Sequence, residues 1–242
     1  MFSGCTSLTT LPSNLLPATT LAVKCYDHMF YNCTSLTTVP SNLLPATTLA
    51  ANCYSKMFSG CTSLTTIPSN LLPATTLANS CYYSMFSDCT SLTTIPKLSA
   101  TTLANSCYYS MFYNCTSLTT VPSNLLPATT LAVKCYDQMF YNCKGLTTVP
   151  DLPATTLADY CYYNMFNNCS SLTTVPSNLL PATTLADYCY YNMFNNCSSL
   201  TTLPKLPATT LPRYCYYNMF EYCSSLVETP DGWILPAQTL SD

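Results

Sequence analysis

The sequence predicts an α/β repeat solenoid, a right-handed stack of about nine coils of 26–28 residues, each with two short strands and a short helical segment. Three observations carry that prediction. The dipeptide Met-Phe begins at Met1, Met29, Met57, Met85, Met111, Met139, Met165, Met193 and Met219, at intervals of 28, 28, 28, 26, 28, 26, 28 and 26 residues. The stretch Ala154 to Thr174 recurs unchanged as Ala182 to Thr202, so whole units have been duplicated. The 26-residue intervals lose two residues only in the Pro-rich piece: Pro12 to Pro17 becomes Pro150-Asp151-Leu152-Pro153 or Pro204-Lys205-Leu206-Pro207, and Pro96-Lys97-Leu98-Ser99 is shortened likewise. A change confined to one piece leaves its flanks in register, so the flanks are the packed parts and the Pro-rich piece is a corner.

The elements follow in order along the unit. Leu8–Leu11 and Thr19–Leu21 are short, rich in β-branched threonine and bounded by proline, which suits two brief strands. Asp159–Cys169 carries no proline and reads as about two turns of helix with Asp159 at its N-cap. At 100° per residue, Cys161, Tyr162, Met165, Phe166 and Cys169 share one arc of ~140°. These five positions keep the same residue in every complete copy. The pairs that point away vary: Asp27-His28, Ser55-Lys56, Tyr83-Ser84, Asp137-Gln138, Tyr163-Asn164. A unit this small cannot cover its own apolar face, so copies must stack on one another. The interior is then filled by Leu, Met, Phe, Cys and the first Tyr after each Cys.

Composition narrows function. The 242 residues are 48% apolar but only 7% charged, with a net charge of -3 and a single His. Seven scattered Lys and Arg cannot neutralise a phosphate track, so nucleic acid is not an expected partner. No apolar run reaches the ~18 residues a membrane helix needs, and no basic-then-apolar leader opens the sequence. Paired carboxylates, a Gly-rich phosphate loop and a Ser–His–Asp set are missing, so no enzyme, no catalytic residue and no cofactor are expected.

The phrase Phe-x-x-Cys-[Thr/Ser]-Ser-Leu-Thr-Thr-[Val/Ile]-Pro resembles the leucine-rich repeats of the BspA-like type, found in surface proteins of host-associated bacteria, in some anaerobic protists and in phages of such bacteria. The copies here are longer than the family's common 23-residue unit, with an added Pro-Ser-Asn-Leu-Leu corner. The resemblance implies a binding or adhesion protein at the cell surface or outside the cell.

Each remaining feature has a bland and a sharp reading. The 17 Cys lack Cys-x-x-Cys spacing and have only His28 as a second ligand type, so no metal is expected. They read as small apolar residues in inward ladders, with disulfides between stacked equivalents the alternative. The 39 Thr form hydroxyl ladders that read as cross-strand pairing, with one Thr of each pair exposed; an ice-binding face is the weaker alternative. The N-glycosylation pattern at Asn32, Asn114, Asn168 and Asn196 has a buried Cys at its centre and reads as accidental.

The expected function is a non-enzymatic surface scaffold for binding or adhesion, its partner a protein or glycan on a host or neighbouring cell, or copies of the chain itself. The alternative is a structural subunit of an extracellular filament or phage appendage. Membrane insertion of this segment is not expected. The outward stripe expected to bind comprises Lys24, Asp27, His28, Lys56, Tyr83, Tyr109, Lys134, Asp137, Tyr163 and Tyr191. The solenoid is expected over 1–226. Residues 227–242, where Leu226-Val227-Glu228-Thr229-Pro230 breaks the repeat and the only Trp follows at Trp233, are expected to cap it, with Ala237–Leu240 as a last strand. Met1 sits in phase with the later Met-Phe pairs, which suggests further repeats or an anchor ahead of it, or a neighbouring subunit over that face.

Overall fold

The computed structural model describes residues 1–226 together with the strand Thr239–Leu240. Successive copies stack coil on coil around one continuous apolar interior. The expected occupants line it: Phe30, Phe58, Phe86, Phe112, Phe140 and Phe166 are fully enclosed, as are Met57, Met85, Leu36 and Leu64 and their equivalents in the inner coils, while Met1 at the first coil is exposed. Identical rings fall one above another. The Phe column runs from Phe2 to Phe220 at centroid spacings of 5.4–5.8 Å, and the column of first tyrosines from Tyr26 to Tyr216 at 5.6–5.9 Å. Such parallel stacks add roughly 0.5–1.5 kcal/mol per pair to the burial of the rings themselves.

All 17 cysteines are free thiols, and only Cys5 and Cys25 are exposed. The second Cys of each coil has a defined task. Cys61 donates its S–H to the Phe30 carbonyl at 3.2 Å, and Cys89, Cys115, Cys143, Cys169 and Cys197 do the same one coil further on. The same Phe30 carbonyl accepts the Cys33 amide at 3.2 Å, so both its lone pairs are used. Burial pushes the thiols up, Cys61 and Cys143 to about 12, and keeps them protonated.

The expected helical segment is not a helix. Over residues 24–33 the odd-numbered amides of Cys25, Asp27, Met29, Tyr31 and Cys33 bond to the carbonyl three residues back, while the even ones of Tyr26, His28, Phe30 and Asn32 bond to Cys53, Ser55, Met57 and Ser59 of the next coil, at 2.8–2.9 Å. Every fourth residue (Lys24, His28, Asn32) has φ between 56° and 57°, a left-handed conformation that no α-helix of L-residues contains. The segment is a chain of overlapping turns with a four-residue period. A helix turned by 3.6 residues would rotate the second Cys about 80° away from the first over eight residues. The four-residue period holds both in line, and Cys53 and Cys61 are both fully buried. Stacking explains the choice: half of the amides gain partners in a neighbouring coil that an isolated helix lacks.

The expected strands are correctly placed but shrink to single residues. Parallel bridges join Thr20 to Thr48, Thr38 to Thr66, Thr76 to Thr102 and Thr130 to Thr156. Among the described residues only β1 (Thr210–Leu211) and β2 (Thr239–Leu240) form a paired strand, in parallel, and the one helix is the 3-10 turn Ser123–Leu125 in a corner. Flanking prolines, with no N–H to donate, stop the ladders from lengthening. β2 falls where a last strand is expected; the capping role of Trp233 lies outside the described residues. The shortened corners keep register, since Lys97, Asp151 and Lys205 donate to Ser69, Ser123 and Ser177 at 2.7–3.0 Å.

Both threonines of each pair are exposed, not one. Without an extended strand there is no in-and-out alternation to hide the second. Their hydroxyls bond to the backbone of the adjacent coil rather than to each other: Thr147 Oγ1 to the Thr119 carbonyl and Thr201 Oγ1 to the Thr173 carbonyl, both at 2.9 Å, while Thr202 Oγ1 accepts the Val175 amide at 2.9 Å.

Candidate binding face

The turn segments present their variable residues outward in columns one coil apart. Because the backbone beneath is fixed by bonds to both neighbouring coils, a side chain in one copy stands directly over its equivalent in the next. Three columns carry the tyrosines. Tyr160, Tyr188 and Tyr214 stack at 4.6 and 5.2 Å; Tyr163, Tyr191 and Tyr217 at 4.7 and 5.1 Å. These two columns lean on each other, with tilted or edge contacts between Tyr160 and Tyr163, Tyr188 and Tyr191, and Tyr214 and Tyr217. Six tyrosines therefore form one plate. Lys134 Nζ lies 4.9 Å from the Tyr160 ring centre, and the Arg213 guanidinium lies 5.8 Å and 5.4 Å from the centres of Tyr188 and Tyr214. Tyr214 and Tyr217 are each 46% exposed.

Further toward the N-terminus the face is more polar. Tyr83 and Tyr109 stack at 4.7 Å, Gln138 Nε2 donates to the Tyr109 hydroxyl at 2.8 Å, and Lys56 Nζ stands 6.0 Å from the Tyr83 ring centre. Asp27 Oδ1 contacts His28 Nδ1 at 2.8 Å, and the His28 ring tilts against Tyr31. Asp88, Asn114, Asn142, Asn168 and Asn196 form a side-chain ladder, each amide donating to the residue one coil earlier. All five occupy left-handed positions. The possible glycosylation asparagines at 114, 168 and 196 are thus members of this ladder.

Nine of the ten stripe residues are at least partly exposed on this face: Lys24, Asp27, His28, Lys56, Tyr83, Tyr109, Lys134, Tyr163 and Tyr191. Asp137 is a correction. It is only 3% exposed, one of its carboxylate oxygens has no hydrogen-bond partner among the described residues, and burial raises it to about 7 against the opposing pull of Gln138 and Lys134. It occupies the slot between Tyr109 and Tyr163, so the aromatic side chains of the flanking coils enclose it. Tyr160, Tyr188 and Tyr214 were absent from the expected stripe. Their column varies between copies as freely as the others, running through Lys24, Asn52, Ser80 and Ser106, and that variation marks it in the sequence. Among the described residues no three His, Cys, Asp or Glu side chains come together as a metal site, and no helix is long and apolar enough to cross a membrane.

The family model described as BspA type leucine rich repeat region (6 copies) matches residues 1–125 and 109–227. The chain belongs to the BspA-type leucine-rich repeat family. Its fold is accordingly a leucine-rich repeat fold in which turn ladders replace helix and strand. No curated protein matches this BspA-type chain. Solved structures similar to it include a leucine-rich repeat protein of T. pallidum, 19% identical over 78% of this chain and 77% of that one, with a TM-score of 0.46. A leucine-rich repeat protein of Bacteroides ovatus is 19% identical over 100% and 73%, with a TM-score of 0.33. A leucine-rich cell surface protein of Faecalibacterium prausnitzii is 16% identical over 87% and 76%, with a TM-score of 0.32.

Proposed function

We propose that this BspA-type chain is a non-enzymatic adhesion scaffold working at the cell surface or outside the cell, a right-handed solenoid of about nine coils whose turn face binds a protein or glycan on a neighbouring cell. The observation that supports it most is the six-tyrosine plate. Tyr and Arg dominate the energetic centres of interfaces because they offer large rigid contact area with a polar tip. Here their spacing is set by the coil repeat, so the plate is organised before any partner arrives and loses little entropy on binding.

The test uses residues the chain already carries in the same columns. Tyr160, Tyr188 and Tyr214 are replaced by Ser, as at Ser80 and Ser106, and Tyr163, Tyr191 and Tyr217 by Ser, as at Ser55. Binding of the labelled chain to cultured epithelial cells and to intact bacteria is then read by flow cytometry. A fall of at least ~10-fold, the equivalent of about 1.4 kcal/mol, with an unchanged melting temperature supports the scaffold. Undiminished binding overturns the plate. The competing reading, a filament subunit, is favoured instead by concentration-dependent fibres in electron micrographs whose coil spacing continues from molecule to molecule.

A further inference from the structure

One column of the turn face is interrupted. The third residue of each Met-Phe phrase is Tyr31, then Ser59 and Ser87, then Tyr113 and Tyr141. Tyr113 and Tyr141 stack at 5.0 Å and within 2° of parallel, so one face of Tyr113 is covered and the other looks along the stack toward Ser87. With coils ~4.8 Å apart, Tyr31 and Tyr113 stand ~14 Å apart across two levels that have no ring. The gap is a groove of about 350 Å³, edged by the Tyr83–Tyr109 pair and reached by Lys56.

Its floor is polar. Ser59 and Ser84 are 5% and 7% exposed and line the groove. The amides beneath are spent, Lys56 on the Tyr83 carbonyl and Ser84 on the Tyr109 carbonyl, each at 2.7 Å, so the floor offers side-chain hydroxyls and not a backbone edge. An apolar guest would cover those hydroxyls without pairing them, an unfavourable exchange for water. A peptide strand would find no free amides. An anion would meet Lys56 but also Asp88, whose oxygens are held by Ser87 and Asn114 at 2.7 and 2.9 Å. What remains is a neutral ring with one C–H face for an aromatic platform and hydroxyls for the floor.

We propose that the groove between Tyr31 and Tyr113 is a saccharide site that takes a neutral hexopyranose ring against the free face of Tyr113, its hydroxyls reaching Ser59, Ser84 and Lys56. This rests on the binding-scaffold reading above and names its ligand class. The interruption requires both Ser59 and Ser87, since a tyrosine at either level would fill it as Tyr113 and Tyr141 fill theirs.

The experiment is a printed glycan array, followed by calorimetric titration with free lactose, cellobiose and N,N′-diacetylchitobiose alongside any array hit. It compares the wild-type chain with S59Y/S87Y, which extends the tyrosine column with the residue the repeat itself uses. The expected result is saccharide binding by the wild type that weakens at least ~10-fold in S59Y/S87Y without a lower melting temperature. Y113S, which places at Tyr113 the residue found at Ser59, removes the platform and is expected to weaken binding as well, so a folding failure of the double variant does not end the test. No binding to any arrayed glycan, or binding that survives both the filled groove and the lost platform, overturns the proposal. Wild-type chain that binds cells through the tyrosine plate but no saccharide overturns the groove and leaves the scaffold standing; chain that binds neither overturns both.

Discussion

Ser106 separates a turn ladder from a helix by the sign of a single difference. Its φ is 55°, its amide donates to the Val133 carbonyl in the next coil at 2.9 Å, and its own carbonyl accepts from Tyr109 at 3.2 Å. Its side chain is partly exposed and makes no hydrogen bond to another described residue, so replacing it probes the backbone alone. An L-residue held left-handed costs roughly 1–2 kcal/mol that glycine escapes, while glycine's extra freedom in the unfolded chain costs roughly 0.5–1 kcal/mol. The balance leaves Ser106→Gly about 0.5–1 kcal/mol more stable than Ser106→Ala. In a helix the order reverses, with Ala favoured by about 1 kcal/mol. For a chain of this size 1 kcal/mol moves the melting temperature by roughly 2–4 °C. Ser80, with φ 53°, occupies the equivalent place one coil earlier, and the paired substitutions there are expected to show the same order. The assay is thermal melting of the four single variants. Alanine variants that melt above their glycine counterparts would refute the turn ladder.

Four further outcomes follow from the buried groups. Maleimide at pH 7.5 is expected to add to Cys5 and Cys25 only, giving two adducts by intact mass, and more than two before unfolding would contradict the burial. Cys61, Cys107, Cys143 and Cys161, pushed up to about 12 by burial, stay protonated while the unfolded chain ionises near 9, so stability is full below pH 9 and falls above it. The loss is about 1.4 kcal/mol per pH unit for each thiol, and a chain still folded with undiminished stability at pH 11 would contradict it. Asp137, raised to about 7 by burial, contributes no penalty below about pH 4 and an increasing one as pH rises toward 7, so Asp137→Asn is expected to raise the melting temperature at pH 8 and to do little at pH 4; equal effects at both would refute it. Tyr82 is enclosed between Tyr54 and Tyr108 with a hydroxyl that has no partner among the described residues, so Tyr82→Phe is expected to be neutral or stabilising by roughly 1 kcal/mol in urea unfolding, and a loss of more than that would show that the hydroxyl is bonded.

What could be read from the sequence was the identity of the interior. Cys, Tyr, Met, Phe and Leu repeat without change because each copy presents the same environment to the next, and the fully buried set matches that constancy. The backbone carrying them was misread because a 3.6-residue helix and a four-residue turn ladder place the same five residues inward over so short a segment. The discriminating signal was present. The position before the second Cys is Gly4, Asn32, Gly60, Asp88, Asn114, Asn142, Asn168 and Asn196 in eight of nine copies, the residue types that tolerate a left-handed backbone; Tyr222 in the last copy is the exception. The strands were over-read because threonine's preference for extended backbone yields to the flanking prolines. Of the face, nine stripe residues were legible as variable positions. Asp137 was not, since its burial comes from coils 28 residues before it and 26 after it and cannot be seen within one copy. The tyrosine plate likewise exists only across three copies, from columns that singly look like ordinary surface variation.

Both candidate sites depend on one claim: that alternate amides of each turn segment bond to the following coil and so fix the columns above them. Scalar couplings across hydrogen bonds, measured by NMR on deuterated, labelled chain, test that claim bond by bond. The account predicts correlations from the amides of Tyr136, Gln138, Phe140 and Asn142 to the carbonyls of Cys161, Tyr163, Met165 and Asn167. Correlations from the same amides to Ala132, Lys134, Tyr136 and Gln138, four residues back along the chain, would mean a helix and would contradict it.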